Sequence, residues 1–136
     1  MAWIIVLLSL IAVTACDGAL EPGGPHVEIT VERTGGPDIT PQVATEPGLV
    51  RITATIGVNE PCYDFSAAAE IEGDTLVATV MASRRDGFCL QVLALFGYEL
   101  TITEVPRGSY QLRLVYDRQG PPTFVATVLG IRVDVP

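Results

Sequence analysis

Hydrophobic and polar residues alternate with a period of two along most of this chain, and turn residues interrupt the alternation at short intervals. Val27, Ile29 and Val31 alternate with polar residues until the turn residues at 35–38, and residues 50–56 repeat the pattern. A period of two places alternate side chains on opposite faces of a strand. Each segment therefore predicts a β-strand with one apolar face.

The middle of the chain predicts a hairpin followed by a buried strand. Residues 62–71 and 75–82 alternate in the same way, and Gly73-Asp74 between them is a sequence typical of a tight turn. Residues 88–96 are apolar on both faces apart from Gln91, which predicts a central strand that is covered on both sides.

The last third of the chain completes an all-β pattern. Residues 98–102 and 110–116 alternate on either side of a turn at 105–108, and a closing strand is predicted over 124–135, where Gly130 marks a bulge or a break. Eight or nine short strands at this spacing predict an antiparallel β-sandwich, and no segment has the period of an amphipathic helix.

The first sixteen residues, MAWIIVLLSLIAVTAC, break from this pattern because they are uncharged, almost entirely apolar and end in a cysteine. The apolar stretch is too short to span a bilayer but suits an export signal, although no Lys or Arg precedes it. Val13-Thr14-Ala15-Cys16 resembles the lipobox of bacterial lipoproteins, in which cleavage occurs before a lipid-modified cysteine. The alternative is a buried strand with a core cysteine at position 16.

On the lipoprotein interpretation the chain has three parts. Residues 1–15 are the signal peptide, residues 16–26 are a Gly/Pro-rich tether, and residues 27–136 form a single β-sandwich domain. The mature protein would be held by the acylated Cys16 in the cell envelope, on either membrane or at the cell surface.

Composition narrows the possible partners. The net charge is −8, from sixteen acidic and eight basic residues, and all eight basic residues are arginine. A chain with this charge is repelled by phosphate backbones, so we expect no nucleic-acid partner. The 49% apolar content excludes wholesale disorder.

Two cysteines remain once Cys16 is assigned to the lipid. Cys62 and Cys89 form an even pair in an oxidising compartment, so we predict a disulfide between them, with two buried thiols as the alternative. A metal site is not expected, because the single histidine, His26, falls in the tether and no CxxC motif is present.

The sequence contains few other residues that suggest a metal-binding or catalytic site. Glu70, Glu72 and Asp74 cluster at the predicted hairpin and are interpreted as a solvated turn rather than a calcium site, because the EF-hand spacing is absent. Arg84-Arg85 is likewise interpreted as an exposed turn. No nucleophile motif, phosphate-binding glycine loop or zinc-protease motif occurs, so we predict no catalytic residues and no cofactor.

The stretch from Pro61-Cys62 to Tyr116 resembles a layout found in small secreted and lipid-anchored bacterial proteins of uncharacterised function. Its landmarks are the Pro-Cys pair, the second cysteine at Cys89, and the turn Pro106-Arg107-Gly108-Ser109-Tyr110. The resemblance implies an immunoglobulin-like or fibronectin-like sandwich. It also implies that Tyr110 is a tyrosine corner, whose hydroxyl bonds to upstream backbone, although a core tyrosine with its hydroxyl at the rim fits as well.

These observations favour a lipid-anchored envelope protein that acts by binding or by structure rather than by catalysis. Its expected partners are the membrane, through the lipid, and another envelope protein. The alternative is an inhibitor-like or hydrolytic domain with an unrecognised site, although the loop motifs of chagasin-like protease inhibitors are not found. The sequence leaves the oligomeric state open.

Overall fold

A computed structural model describes residues 23–120 and 123–136, which form eight β-strands in two four-stranded sheets. The prediction of an all-β sandwich of about eight strands is confirmed. In chain order the strands are β1 (His26–Thr34), β2 (Gln42–Glu46), β3 (Leu49–Val58), β4 (Tyr63–Glu72), β5 (Thr75–Arg84), β6 (Ala94–Thr103), β7 (Gly108–Gln119) and β8 (Phe124–Val135).

One sheet has the strand order β1-β6-β3-β2 and the other β4-β5-β7-β8. All neighbouring strands are antiparallel except β5 and β7, which run parallel. The chain leaves β5, returns through β6 in the opposite sheet and enters β7 in the original direction. The crossover that a parallel pair requires is therefore supplied by a strand of the other sheet.

The core lies between the sheets and is formed by alternate residues of the central strands. Its Val, Leu and Ile side chains with no exposed surface come from both sheets, and burial of each contributes roughly 1.5–3 kcal/mol. They are Val50, Ile52, Leu76, Val80, Leu100, Ile102, Leu112 and Leu114. The predicted inward face of residues 98–102 is confirmed, since Tyr98 is also buried.

The strand registers define two ends of the sandwich. At one end Thr103 of β6 pairs with His26 of β1 on one side and with Leu49 of β3 on the other. The β6–β7 turn at 104–107 joins this end of the first sheet to Gly108 in the second, and the β4–β5 turn at 73–74 lies at the same end. We call this the proximal end because β1 begins there.

The opposite end contains the β3–β4 and β5–β6 connections and the end of β7. Tyr63 is opposite Arg84, and Val58 is opposite Ala94. We call this the distal end and define it as residues 33–35, 58–64, 84–94, 117–120 and 123–125.

The predicted central strand over residues 88–96 is wrong in its first six residues. β6 begins only at Ala94, and residues 85–93 form the connection from β5 in one sheet to β6 in the other. Phe88, Leu90, Val92 and Leu93 are exposed to solvent, so this apolar run is not a strand covered on both faces.

Three smaller differences concern the edges of the sheets. His26, placed in the tether by the sequence, is the first residue of β1, and the short strand β2 was not predicted. The closing strand is continuous over Phe124–Val135, but its register with β7 shifts between Leu114 and Val115. The shift leaves Val128 as the extra residue of a bulge, two positions before Gly130.

The predictions for the signal peptide at 1–15 and the acylated Cys16 lie outside the described residues. Within residues 23–120 and 123–136 there is no helix with the length and hydropathy needed to cross a bilayer.

Candidate functional site

The exposed apolar side chains of this domain concentrate at the distal end. Residues 85–93, which we call the distal loop, expose 92% of Phe88, 63% of Leu90 and 83% of Leu93, and Val92 is also exposed. Large apolar side chains this exposed on neighbouring residues mark an interaction surface more often than isolated ones do. The distal loop is therefore the strongest candidate site among the described residues.

A disulfide fixes the middle of the distal loop to the start of β4. Cys89 is bonded to Cys62, with 6.1 Å between their Cα atoms, and Cys89 is buried although the residues on both sides of it are exposed. The predicted disulfide is therefore present. Because the bond holds the backbone between Phe88 and Leu90, it presents both side chains outward.

A buried carboxylate makes a second attachment. Glu60 is only 2% exposed, and its Oε2 accepts a hydrogen bond from Gln91 Nε2 at 2.7 Å. The Arg84 guanidinium donates to both Glu60 oxygens, from Nε and, at 3.4 Å, from Nη2. The hydrogen bond to Glu60 raises the pKa of Arg84. Glu60 thus ties the distal loop to the last residue of β5 and has its own charge neutralised by that residue.

The predicted exposed turn at Arg84-Arg85 is wrong for Arg84. Its side chain lies against the buried Glu60, whereas Arg85 extends to the surface and pairs with Asp64 at 3.3 Å. The backbone N–H of Arg85 also donates to the carbonyl oxygen of Cys62 at 2.9 Å. The two arginines therefore fasten the start of the distal loop to the β3–β4 connection and β4.

An open pocket of about 460 Å³ lies beside the distal loop. Leu93, Ala94 and Leu95 line one side, where the loop enters β6, and the end of β1 lines the other with Arg33, Thr34 and Gly35. The lining thus contains both aliphatic side chains and an arginine, two kinds of group that contact aromatic rings in proteins.

Charge is balanced at the distal end and acidic elsewhere. The distal end contains four arginines (Arg33, Arg84, Arg85 and Arg118) and four carboxylates (Glu60, Asp64, Asp86 and Asp117). The rest of the described chain contains four arginines (Arg51, Arg107, Arg113 and Arg132) against ten carboxylates (Glu28, Glu32, Asp38, Glu46, Glu70, Glu72, Asp74, Glu99, Glu104 and Asp134). An approaching acidic molecule is therefore repelled least at the distal end.

A second polar cluster joins the two sheets in the middle of the sandwich. The hydroxyls of Tyr98 and Tyr116 lie 2.6 Å apart, and Tyr116 donates to the carbonyl oxygen of Thr55 at 2.9 Å. The Thr55 hydroxyl donates in turn to Asp38. Burial raises the pKa of both phenols, so they stay protonated at neutral pH and are poor candidates for a catalytic base.

The remaining candidate residues lie apart from the distal loop. The Tyr110 hydroxyl donates to the carbonyl oxygen of Pro106 at 2.9 Å, four residues upstream, at the proximal end. Glu70, Glu72 and Asp74 lie at or beside the β4–β5 turn. Among the described residues no three His, Cys, Asp or Glu side chains are grouped so that they could hold a metal ion.

Comparison with known proteins returns no match: no protein-family model, curated protein or solved structure corresponds to this chain. Any functional argument therefore depends on the geometry of the molecule.

The sequence interpretation found the disulfide but missed the rest of the site. Nothing in the sequence indicates that Glu60 is buried, because a single glutamate before Pro61-Cys62 is typical of an exposed loop. The exposure of Phe88 and Leu93 could have been suspected from one feature of the sequence. A continuous apolar run next to the charged turn residues 84–86 fits a projecting loop as well as a buried strand.

Proposed function

We propose that this protein is a lipid-anchored, non-catalytic binding module of the cell envelope that docks a partner protein through the distal loop. The observation that carries the proposal is the exposure of Phe88, Leu90 and Leu93 on a segment fixed by a disulfide and by a hydrogen bond from Gln91 to the buried Glu60. Ordering a flexible loop on binding costs free energy, and a loop that is already fixed avoids that cost. The two attachments support a role in presenting these side chains to a partner.

The position of the distal loop supports a protein partner rather than the membrane. β1 begins at the proximal end and its nine residues extend about 30 Å toward the distal end. An anchor at Cys16 lies ten residues before His26. For the distal end to point into the same bilayer, the tether would have to run back fully extended along the domain, because ten residues span at most about 36 Å.

The groups around the loop support binding over catalysis. Both carboxylate oxygens of the buried Glu60 are already engaged by hydrogen bonds from Arg84 and Gln91. The tyrosines of the second cluster are kept protonated by burial. No specific observation favours the inhibitor-like or hydrolytic alternative.

The test is site-specific photocrosslinking in the envelope of the protein's own host. A photoreactive residue replaces Phe88 or Leu93 in separate variants, and Val128, exposed on β8 outside the distal end, provides the matched control. We expect one crosslinked species shared by positions 88 and 93 and absent from position 128. Crosslinking that is equal at all three positions, or absent from the first two, would contradict the proposal.

The anchor has a separate test. Intact mass measurement of protein recovered from membranes should show a chain that begins at Cys16 and carries added acyl mass, and Cys16→Ser should release the chain from the membrane fraction. An unacylated full-length chain would remove the lipoprotein part of the proposal.

A further inference from the structure

We infer that the partner of the distal loop is a second copy of this chain, bound distal end to distal end, with Phe88 of each copy in the pocket beside Leu93 of the other. The inference deepens the proposed function and depends on the same docking surface. Three observations carry it: the charge distribution, the fit between ring and pocket, and the size of the exposed apolar surface.

Charge decides where two copies can meet. Each chain has a net charge of −8, so most approaches between copies are repulsive. The distal end is the exception, because its four arginines and four carboxylates balance. Glu60 with Arg84 and Asp64 with Arg85 are already paired within one copy. The other two arginines and two carboxylates of this end also balance, so two distal ends repel each other less than the acidic remainder of the two chains does.

The shape of the distal end provides both halves of a reciprocal contact. Phe88 is 92% exposed and the open pocket of about 460 Å³ lies on the same end of the same chain. In a symmetric pair the same surface patch serves both copies, so a side chain that projects and a pocket that receives it must occur together. Arg33 lines the pocket and can lie over the face of the incoming ring.

The exposed apolar area suits a reversible dimer. Phe88, Leu90, Val92 and Leu93 together expose on the order of 500 Å² of side chain per copy, with an aromatic ring as the largest part. Two such surfaces bury on the order of 1,000 Å², which is the lower limit for a specific interface. We therefore expect a dissociation constant in the micromolar range rather than an obligate dimer.

The arrangement is compatible with anchoring in one membrane. Both proximal ends, where the tethers begin, lie at the outer ends of such a pair. Two copies lying along the bilayer would keep both lipids inserted while their distal ends meet.

The test is sedimentation equilibrium of the full acylated protein in density-matched detergent over a wide concentration range. We expect a monomer–dimer equilibrium that Phe88→Ser and Leu93→Ser each weaken at least tenfold. Val128→Ser, which removes an exposed apolar side chain outside the distal end, should leave it unchanged. Because Phe88 and Leu93 are more than four-fifths exposed, their serine variants should unfold at nearly the same denaturant concentration as the parent, which separates loss of contact from loss of fold.

Two results would overturn the inference: a monomer at every concentration, or a dimer that Phe88→Ser does not weaken. The identity of the species crosslinked from position 88 distinguishes failure of the dimer inference from failure of the proposed function. A crosslinked species with the mass of two copies supports both. A species containing a different protein leaves the proposed function standing and removes the inference, whereas a monomer without any crosslink removes both.

Discussion

The two ends of the sandwich are built by different means. At the proximal end short turns close neighbouring strands, and two of them use glycine at positive φ, Gly48 at 73° and Gly73 at 62°. Backbone hydrogen bonds join these turns, such as the bond from Val105 N–H to the Gly48 carbonyl oxygen at 3.2 Å. This end is closed mainly by turns and backbone hydrogen bonds, and its turns at 47–48, 73–74 and 104–107 contain none of the exposed large apolar side chains of the described residues.

The distal end is held by side-chain contacts, a disulfide and hydrogen bonds to a buried carboxylate. The disulfide joins positions 27 residues apart, and the hydrogen bond from Gln91 to Glu60 joins positions 31 apart. These contacts fix a loop that buries little apolar surface of its own. The distal end therefore depends on the stability of the rest of the domain to present a surface, whereas the proximal end only closes the fold.

The largest expected effect comes from removing the disulfide. We predict that the double variant Cys62→Ala, Cys89→Ala loses about 3 kcal/mol of unfolding free energy, because the reduced chain regains the entropy of a loop of this length. Denaturant unfolding of the double variant against the oxidised parent measures it. Reduction of the parent is the control and should give a similar loss, and a loss below about 1 kcal/mol would show that the distal end is held without the covalent bond.

Removing the buried carboxylate should have the next largest effect. We predict that Glu60→Ala costs about 2 kcal/mol, because Arg84 and Gln91 both lose the charged acceptor that fixes them. The matched control is Glu46→Ala, which removes a carboxylate that pairs with Arg51 at 3.5 Å on the surface near the proximal end. Exposed pairs contribute at most about 1 kcal/mol, so equal losses in the two variants would contradict the contrast between the ends.

The tyrosine pair between the ends predicts a dependence on alkaline pH. Burial raises the pKa of Tyr98 and Tyr116, so the folded state keeps protons that the unfolded state loses above pH of about 10. Stability should therefore be constant below that pH and fall as pH rises, by up to about 1.4 kcal/mol per pH unit for each tyrosine. Tyr98→Phe should reduce the slope of the unfolding free energy against pH between pH 10 and 11. An unchanged slope would contradict the assignment of this pH dependence to the buried Tyr98.

Removing the hydroxyl of a buried tyrosine, at one end or the other, should have smaller effects on the free energy of unfolding. Tyr110 at the proximal end donates a hydrogen bond to the Pro106 carbonyl oxygen. We predict that Tyr110→Phe costs about 1 kcal/mol, the usual net contribution of one such bond. The measurement is the denaturant midpoint at constant m-value, and no change would show that water replaces the bond without loss.

The corresponding change at the distal end should cost nothing. The hydroxyl of Tyr63 is buried and has no hydrogen-bond partner among the described residues. Tyr63→Phe removes an unsatisfied polar group, so we predict an unchanged or slightly higher unfolding free energy. A loss as large as that of Tyr110→Phe would mean that the two hydroxyls are equally well bonded.

The sequence predicted the parts of the fold that follow from local alternation. The β4–β5 hairpin and the inward faces of β6 and β7 all come from a period of two combined with turn residues. β2 was missed because it has only five residues, of which Val43 is the one large aliphatic. The parallel pairing of β5 and β7 has no local signal, because it is set by the route of β6 through the other sheet.

The distal loop shows where such patterns fail. A run that is apolar at every position is compatible with two structures: a strand covered on both faces, or a loop exposed to solvent. The two structures differ only in their tertiary contacts. The contacts that decide it, from Glu60 and from Cys62, come from residues 24 to 31 positions away. Pairing of the cysteines was predictable from their number, but its role in holding an exposed surface was not.

The bulge in β8 has a consequence for how the molecule avoids polymerising. β8 is the longest edge strand of the domain, and its first charged residue is Arg132, so residues 124–131 offer an uncharged free edge. A regular edge of this kind is a template on which strands of other molecules can add without limit. The extra residue at Val128 interrupts the spacing of N–H and C=O groups along this edge. Incoming strands can then match only a short stretch on either side, which protects a concentrated population of this protein from growing into fibrils.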